Sequence, residues 1–270
     1  MKTYLTYLYL LSPLHTGGAS QEGNLVGLAR EVHTDLPYLP SSTIRGRLRA
    51  ATPEKDRTRL WGNTIEDVTS GTDENLKQGT LWVGDAAILW FPVPSLSHGV
   101  VWVTSPFLLQ RWARCLDKKP TKIPEVLSFS GGNSKHLYLK DAIFKKDKLK
   151  LWSKEEWSQF LPNGSEEIKI MTQFLVLSNQ NCQVLIESSL WRQVKVRLDE
   201  TKTVKGGFRY EEAVPPETLM YFPWSSTVSA NGQSTTAIND FKSVISGYSM
   251  LQLGGQESLG RGFVRQWLSE

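Results

Sequence analysis

The chain has 270 residues, enough to bury a sizeable core as one elaborated domain or two small ones. Its 40% hydrophobic and 21% charged residues are those of a globular chain, and a formal charge of +4 permits nucleic-acid binding without proving it. No run approaches the roughly 18 apolar residues of a membrane span, and two cysteines without a CxxC pair, with four histidines without HExxH spacing, argue against a disulfide framework or a zinc site.

The opening MKTYLTYLYLLSPL looks superficially like a signal peptide. Its polar and apolar residues alternate, however, and no small-residue cleavage site follows closely, so residues 3–11 read as a first strand in a cytoplasmic protein. Residues 12–40 are rich in Gly, Pro and Ser, lack periodicity and read as one long functional loop. Ser41-Ser42-Thr43 offer N-caps to a helix reaching about residue 51, with Ile44 and Leu48 on one stripe. Residues 62–79 read as a polar surface excursion, and 80–89 and 99–104 as strands broken by Asp85 and Pro92-Val93-Pro94. A helix over 106–116 opens on proline.

The lysine-rich region 117–170, with Lys118 and Lys119 and a weak helical pattern over 154–161, reads as an insertion or subdomain. Residues 184–186 and 195–198 are short strand candidates, and Asp199-Glu200-Thr201-Lys202 is a hairpin tip with a return arm over 203–210. Strands over 218–222, 250–253 and 262–267 and a helix over 237–249 complete the chain, without a fixed-period repeat. The pattern predicts an α+β domain on an antiparallel sheet. Most of the ten tryptophans are expected in the core or at interfaces, with a few left to stack on bases.

Four segments carry chemistry. In His15-Thr16-Gly17-Gly18, glycines open the backbone to a phosphate and the imidazole can donate or shuttle a proton; the alternative is a tight turn with a solvated histidine. Arg30 precedes the helix start around Ser42, where free N–H groups favour an anion; Arg45 and Arg49 share a face there, as phosphate clamps or as a solvated helix face. The hairpin over 195–210 carries Lys195, Arg197, Lys202, Lys205 and Arg209, either as a basic ribbon for a nucleic-acid backbone or as a plain exposed arm. Between the last two strands, the loop with Gly254, Gly255, Gly260, Arg261 and Gly262 is permissive and expected to be rich in exposed N–H groups.

In order, these segments resemble the RAMP superfamily of CRISPR proteins, and within it the repeated backbone subunit of type III-B (Cmr) effector complexes. The resemblance rests on Leu11 to Gly18, Arg30-Glu31, His33-Thr34 and Leu36-Pro37 through Arg49. It continues through Val83-Gly84-Asp85-Ala86, Pro92 to Ser95, Val103 to Pro106, Tyr210-Glu211-Glu212, Val214 to Thr218 and the Leu253 to Gly262 loop. It spans most of the chain, with 54–78 and 117–185 least covered. It implies a single domain over 1–270, an RRM-like (ferredoxin-like) palm with helical insertions, and a β-hairpin thumb at 195–210. It implies copies stacked head to tail along a CRISPR RNA, a target RNA paired to that guide, and other Cmr-type subunits as partners, by heterologous contacts that close no ring. Arg45, Arg49 and the C-terminal glycine loop then correspond to guide-backbone contacts.

The family's catalytic feature is an aspartate in the 12–40 loop that promotes metal-dependent cleavage of target RNA. Here the stretch is Gly23-Asn24-Leu25-Val26-Gly27-Leu28-Ala29, which puts Leu25 or Val26 at that place. An alkyl chain offers no lone pair, and Glu22 and Asp35 are the nearest carboxylates. The expectation is a subunit that binds guide and target and slices poorly or not at all, needing no cofactor beyond a divalent metal for any residual cleavage. The competing readings are a metal-independent CRISPR-RNA processing endonuclease using His15 or His33 as acid or base, and a small-molecule enzyme on a ferredoxin-like sheet, for which no cofactor fingerprint appears.

Overall fold

A computed structural model describes residues 2–22, 25–69, 75–116, 119–120, 122–227 and 233–269. Gly23, Asn24 and Lys118 lie outside the described residues, as does the side chain of Glu22. The first half holds β1 (Tyr4–Leu10), β2 (Gly17–Glu22), β3 (Leu25–Leu28), α1 (Ser41–Ala51), α2 (Glu54–Trp61), α3 (Ile65–Thr69), β4 (Leu81–Val83), β5 (Ala87–Ser95), β6 (Gly99–Thr104) and α4 (Pro106–Ala113). There follow β7 (Ser128–Phe129), β8 (Leu137–Leu139), β9 (Ala142–Phe144), β10 (Lys150–Leu151), α5 (Lys154–Trp157), β11 (Phe174–Val176) and α6 (Asn179–Ser188). The last part holds β12 (Trp191–Lys195), β13 (Arg209–Ala213), β14 (Leu219–Ser226), α7 (Gln233–Ser246), β15 (Leu251–Gln252) and β16 (Phe263–Leu268).

The fold is α+β, with two sheets. The larger runs β10–β7–β11–β6–β5–β14–β1–β16–β15, with β4 beside β14 and the β8–β9 pair on β5. The smaller runs β12–β13–β3–β2. β1 forms at the centre because both its faces are apolar enough to bury. Leu8 and Leu10 enter one core with Ile44, Leu48, Phe222 and Phe241, whereas Leu5, Tyr7 and Tyr9 enter another with Trp90, Trp112 and Phe174. Thr6, the polar position between them, is fully buried. Trp61, Trp90, Trp102, Trp112, Trp152, Trp224 and Trp267 all sit in the core.

Several elements differ from the sequence reading. The 12–40 segment is not a single loop, because Gly17–Glu22 and Leu25–Leu28 pair as an antiparallel hairpin. Pro92 and Pro94 do not end a strand but lie inside β5. Pro92 faces Trp102, whose N–H turns away to the Gln173 carbonyl, so no ladder bond there requires a proline N–H. Residues 184–186 are helical, because Cys182, Leu185 and Ile186 make a buried stripe at helical spacing behind the Ser178 cap. Helix α1 is preceded by Pro40 and has no side-chain cap; instead Asp85 Oδ1 accepts from Ser41 N at 2.6 Å. The return arm at 203–210 becomes strand only from Arg209. Within 117–170, β7 and β10 extend the main sheet beyond β11, and the β8–β9 pair joins it at β5.

Candidate nucleic-acid interface

The smaller sheet brings together chain segments that the sequence keeps far apart. Strand β13 carries Glu211 and Glu212, each only 3% exposed. Carboxylates are buried this deeply only when paired, and consecutive strand residues point to opposite faces, so each gathers its own cations. Glu211 Oε2 lies 2.7 Å from Lys195 Nζ and 3.0 Å from Arg261 Nη1. Glu212 accepts from Arg192 Nε at 2.9 Å and from Arg30 Nη2 at 3.2 Å. Arg30 Nη1 also donates to Glu187 Oε2 at 2.6 Å and to the Asp35 carbonyl at 3.0 Å. Burial by itself would raise the Glu211 carboxyl, but Lys195, Gln256 and Arg261 together outweigh it and hold the group below the ordinary glutamate range.

Arg261, from the C-terminal glycine loop, is 4% exposed. Its guanidinium lies 4.5 Å from the centroid of the Trp191 ring, donates to Gln193 Oε1 at 2.9 Å and also bonds Gln256. It is therefore a core cation of this cluster rather than a loop side chain waiting for a ligand.

His15 sits against the same cluster. Its Nδ1 is 2.9 Å from the Glu212 carbonyl, which can only accept, so Nδ1 carries the hydrogen and Nε2 is the acceptor of the neutral ring. The His15 carbonyl accepts from Gly255 N at 3.0 Å, locking the first loop to the last. Gly254 adopts φ +78°, and a Cβ there would strike the His15 carbonyl oxygen; Gly262, at φ +77°, is pressed against the Leu253 carbonyl in the same way. The glycines thus serve close packing. The expectation of bare N–H groups is corrected, since Gly255, Gly260 and Gly262 donate to His15, Glu257 and Pro13. Gly17 and Gly18 likewise belong to β2 rather than to an open turn, with Gly17 opposite Leu28.

Two predicted groups lie elsewhere. Ser42 is exposed on the first turn of α1, while Arg45 and Arg49 reach the end of α2, donating to the carbonyls of Trp61 and Gly62. Arg45 and Arg49 do share a face, but it caps a neighbouring helix, and the carboxylate of Asp85 already holds the start of α1. Arg197 and Lys202 are exposed on the projecting hairpin, whose tip is tied by Asp199 Oδ1 accepting from Thr201 N and Thr203 N at 2.9 Å. That arm also exposes Val194, Val196, Leu198, Val204, Phe208 and Tyr210.

Leu25 and Val26 both fall in β3, where β13 runs parallel with Tyr210 opposite Leu25 and Glu211 opposite Val26. On β2, Glu22 stands opposite Leu25, as sequence proximity nominated, and the carboxylate in register with Val26 is Glu211, which it did not nominate. Glu211 is already neutralised by two cations, and no group of three metal-ligating side chains occurs among the described residues. Asp35 is exposed, in a left-handed conformation at φ 56°.

This architecture is shared. The chain is 30% identical to the CRISPR system Cmr endoribonuclease Cmr4 of Pyrococcus furiosus, over all of this chain and 97% of that protein. The crystal structure of oligomeric Cmr4 from the same organism superposes with a TM-score of 0.72 at 24% identity, covering 100% of this chain and 99% of the other. A chain of the type III-B Cmr-beta complex bound to cognate target RNA, solved by cryo-EM, gives 0.70 at 18% identity, over 99% and 97% of the two chains. The RAMP superfamily profile matches residues 7–265, from within β1 to within β16, so it takes in both glycine loops and the ionic cluster that joins them. The chain belongs to the RAMP superfamily.

Proposed function

We propose that this protein is the backbone subunit of a type III-B, Cmr-type RNA-targeting complex, binding CRISPR RNA and, through it, target RNA. The observation that carries the reading is the full-length 30% identity to a Cmr4 protein. The likeness of the fold to a chain of a complex bound to target RNA supports it. In this reading the larger sheet is an RRM-like palm and the hairpin at 195–210 is its thumb. The apolar stripe on that arm, from Val194 to Tyr210, suits an element covered by a neighbouring copy, while Arg197 and Lys202 face the RNA. The surface around His15, Gly17 and the C-terminal loop is the guide path, with Arg30, Lys195 and Arg261 shaping it from beneath. Base pairing reads the target, so phosphate contacts suffice for the protein.

The subunit slices target RNA poorly or not at all, because Leu25 and Val26 supply no ligand for a divalent metal and Glu211 is held by Lys195 and Arg261. Co-expressing the chain with its operon companions and a guide tests the proposal. The expected product is a helical ribonucleoprotein in micrographs, with RNA affinity that falls steeply as salt rises. A chain that stays monomeric and ignores RNA in that setting overturns it. Strong metal-dependent slicing that disappears when this subunit alone is altered replaces it with an endoribonuclease reading, the activity that the Pyrococcus relative's name carries.

A further inference from the structure

Strands β6 and β11 are parallel neighbours, and each runs directly into a helix, α4 and α6. Crevices outside the carboxyl ends of such strands are favoured ligand sites. Here the two helix starts and the 33–36 loop line a half-open cleft of about 300 Å³. Leu36 and Cys182 form its buried floor, Phe107 and His33 supply aromatic surface, and Gln180 and Gln183 bring two carboxamides one helical turn apart. No Lys, Arg, Asp or Glu lines it.

Helix starts commonly take anions, but α4 has no free donor in its first turn and α6 has one tied by its cap. Pro106 has no N–H, Phe107 N donates to Asn179 Oδ1 at 3.2 Å, and Leu108 N donates to Ser105 Oγ. Asn181 N donates to Ser178 Oγ at 3.2 Å. By contrast the Gln180 and Gln183 amides make no hydrogen bond among the described residues. On its outer side the cleft is braced by side-chain contacts. Arg111 bonds Glu31 Oε1 at 2.6 Å, its guanidinium stands 5.5 Å from the Phe107 centroid, and Glu31 Oε2 accepts from Thr34 Oγ1 at 2.5 Å. The ligand chemistry that matches is a flat, neutral heterocycle edged with donors and acceptors. Glutamine carboxamides pair with such an edge in two directions at once, and aromatic rings carry its face.

The geometry points to a nucleobase pocket at this crevice, resting on the RNA-binding reading above and naming where an unstacked base is held. Helix α6 runs from the pocket at Asn179 to the ionic cluster at Glu187, about 12 Å along its axis. A strand passing over the cluster therefore has a base pocket at its side.

Photocrosslinking of the assembled complex tests this, with 5-iodouridine scanned through guide and target RNA and the crosslinked peptides mapped by mass spectrometry. Crosslinks on Phe107 or His33 at a subset of RNA positions are expected, with Gln183→Leu, which preserves size, lowering their yield roughly tenfold. In parallel, each of the four free nucleoside monophosphates is titrated into the purified full-length chain, and side-chain amide resonances are followed by NMR. RNA that binds but crosslinks only around His15–Gly18 and Gly254–Arg261 while no monophosphate perturbs the amides overturns the pocket and leaves the proposed function standing. RNA that does not bind at all removes the proposed function, and the monophosphate titration then decides the pocket: shifts abolished by Gln183→Leu uphold it as a free-nucleotide site, and unmoved resonances overturn it.

Discussion

Replacing Arg261 by alanine separates two roles that the sequence leaves indistinguishable. An arginine in a glycine loop reads as a phosphate contact; in the structure it is 4% exposed and faces an equally buried carboxylate. Removing one partner of a buried pair costs about 3–5 kcal/mol, because the other charge is left without compensation. Lys195 still stands 2.7 Å from Glu211, which puts the loss near the lower end, about 3 kcal/mol. The stacking on Trp191 contributes a further ~1 kcal/mol. For a chain of this size the sum lowers Tm by roughly 7 °C. The assay is thermal unfolding of the purified chain alone, without RNA, followed by circular dichroism. Adding Glu211→Gln to Arg261→Ala also takes the partner from Lys195, so the two losses should be non-additive, the double variant losing less than the sum of the single ones. A Tm unchanged within about 2 °C, together with weakened RNA binding, would show that Arg261 serves the ligand and not the cluster, and would refute this reasoning.

The glycine loops make a graded prediction. Gly254→Ala meets both a left-handed φ and the His15 carbonyl and should cost about 2–3 kcal/mol, whereas Gly260→Ala, with φ +73° and open space around it, should cost only about 1 kcal/mol; equal losses in chemical denaturation would contradict the proposed docking. Because Glu211 is held below its unfolded value near 4.3, the stability it confers is complete above that pH and lost as pH falls through the folded value. The gap in urea midpoint between parent and Glu211→Gln should therefore be widest near neutrality and close below about pH 4; a gap that widens in acid would reverse the assignment. Arg49→Ala should lower Tm by a few degrees through the lost bond to the end of α2 and leave the salt dependence of RNA affinity unaltered, while a slope that drops by about one unit would place Arg49 on a phosphate.

Local signals carried much of this. Alternating polar and apolar residues marked β1, Ile44 and Leu48 marked α1 to its final residue, and the Asp199 to Lys202 tip formed where its turn residues said it should. Failures occurred where the deciding partner is remote. Val184 to Ile186 reads as a strand until the Ser178 cap and the Cys182–Leu185–Ile186 stripe are weighed together. The β2–β3 hairpin is polar and glycine-rich, and β3 is held by β13 from the far end of the chain, so nothing nearby announces it. The same applies to the site. His15, Arg30, Lys195, Gly255 and Arg261 were legible as residues of interest, but Glu211 and Glu212, around which they assemble, carry no local sign of burial. Nor does an arginine announce that a helix end lies within reach, as it does for Arg45 and Arg49.

The sheet register also sharpens what an aspartate would do at the two candidate positions. Side chains at paired positions lie on one face and neighbours along a strand on opposite faces. Val26, opposite Glu211, faces the cluster with Lys195 and Arg261; Leu25, opposite Tyr210, faces the other way, on the side where Tyr210 is exposed. An aspartate at Val26 would join an ion-paired group whose cations, Lys195 and Arg261, compete with a metal for it. An aspartate at Leu25 would stand apart from Lys195 and Arg261, on the face of Glu212 and in register with Glu22 of β2. In the assembled complex with added magnesium, Leu25→Asp should therefore confer target cleavage over the parent complex and Val26→Asp should not. Cleavage gained by Val26→Asp alone would put the reacting phosphate on the Glu211 face and make the cluster part of the chemistry rather than its support.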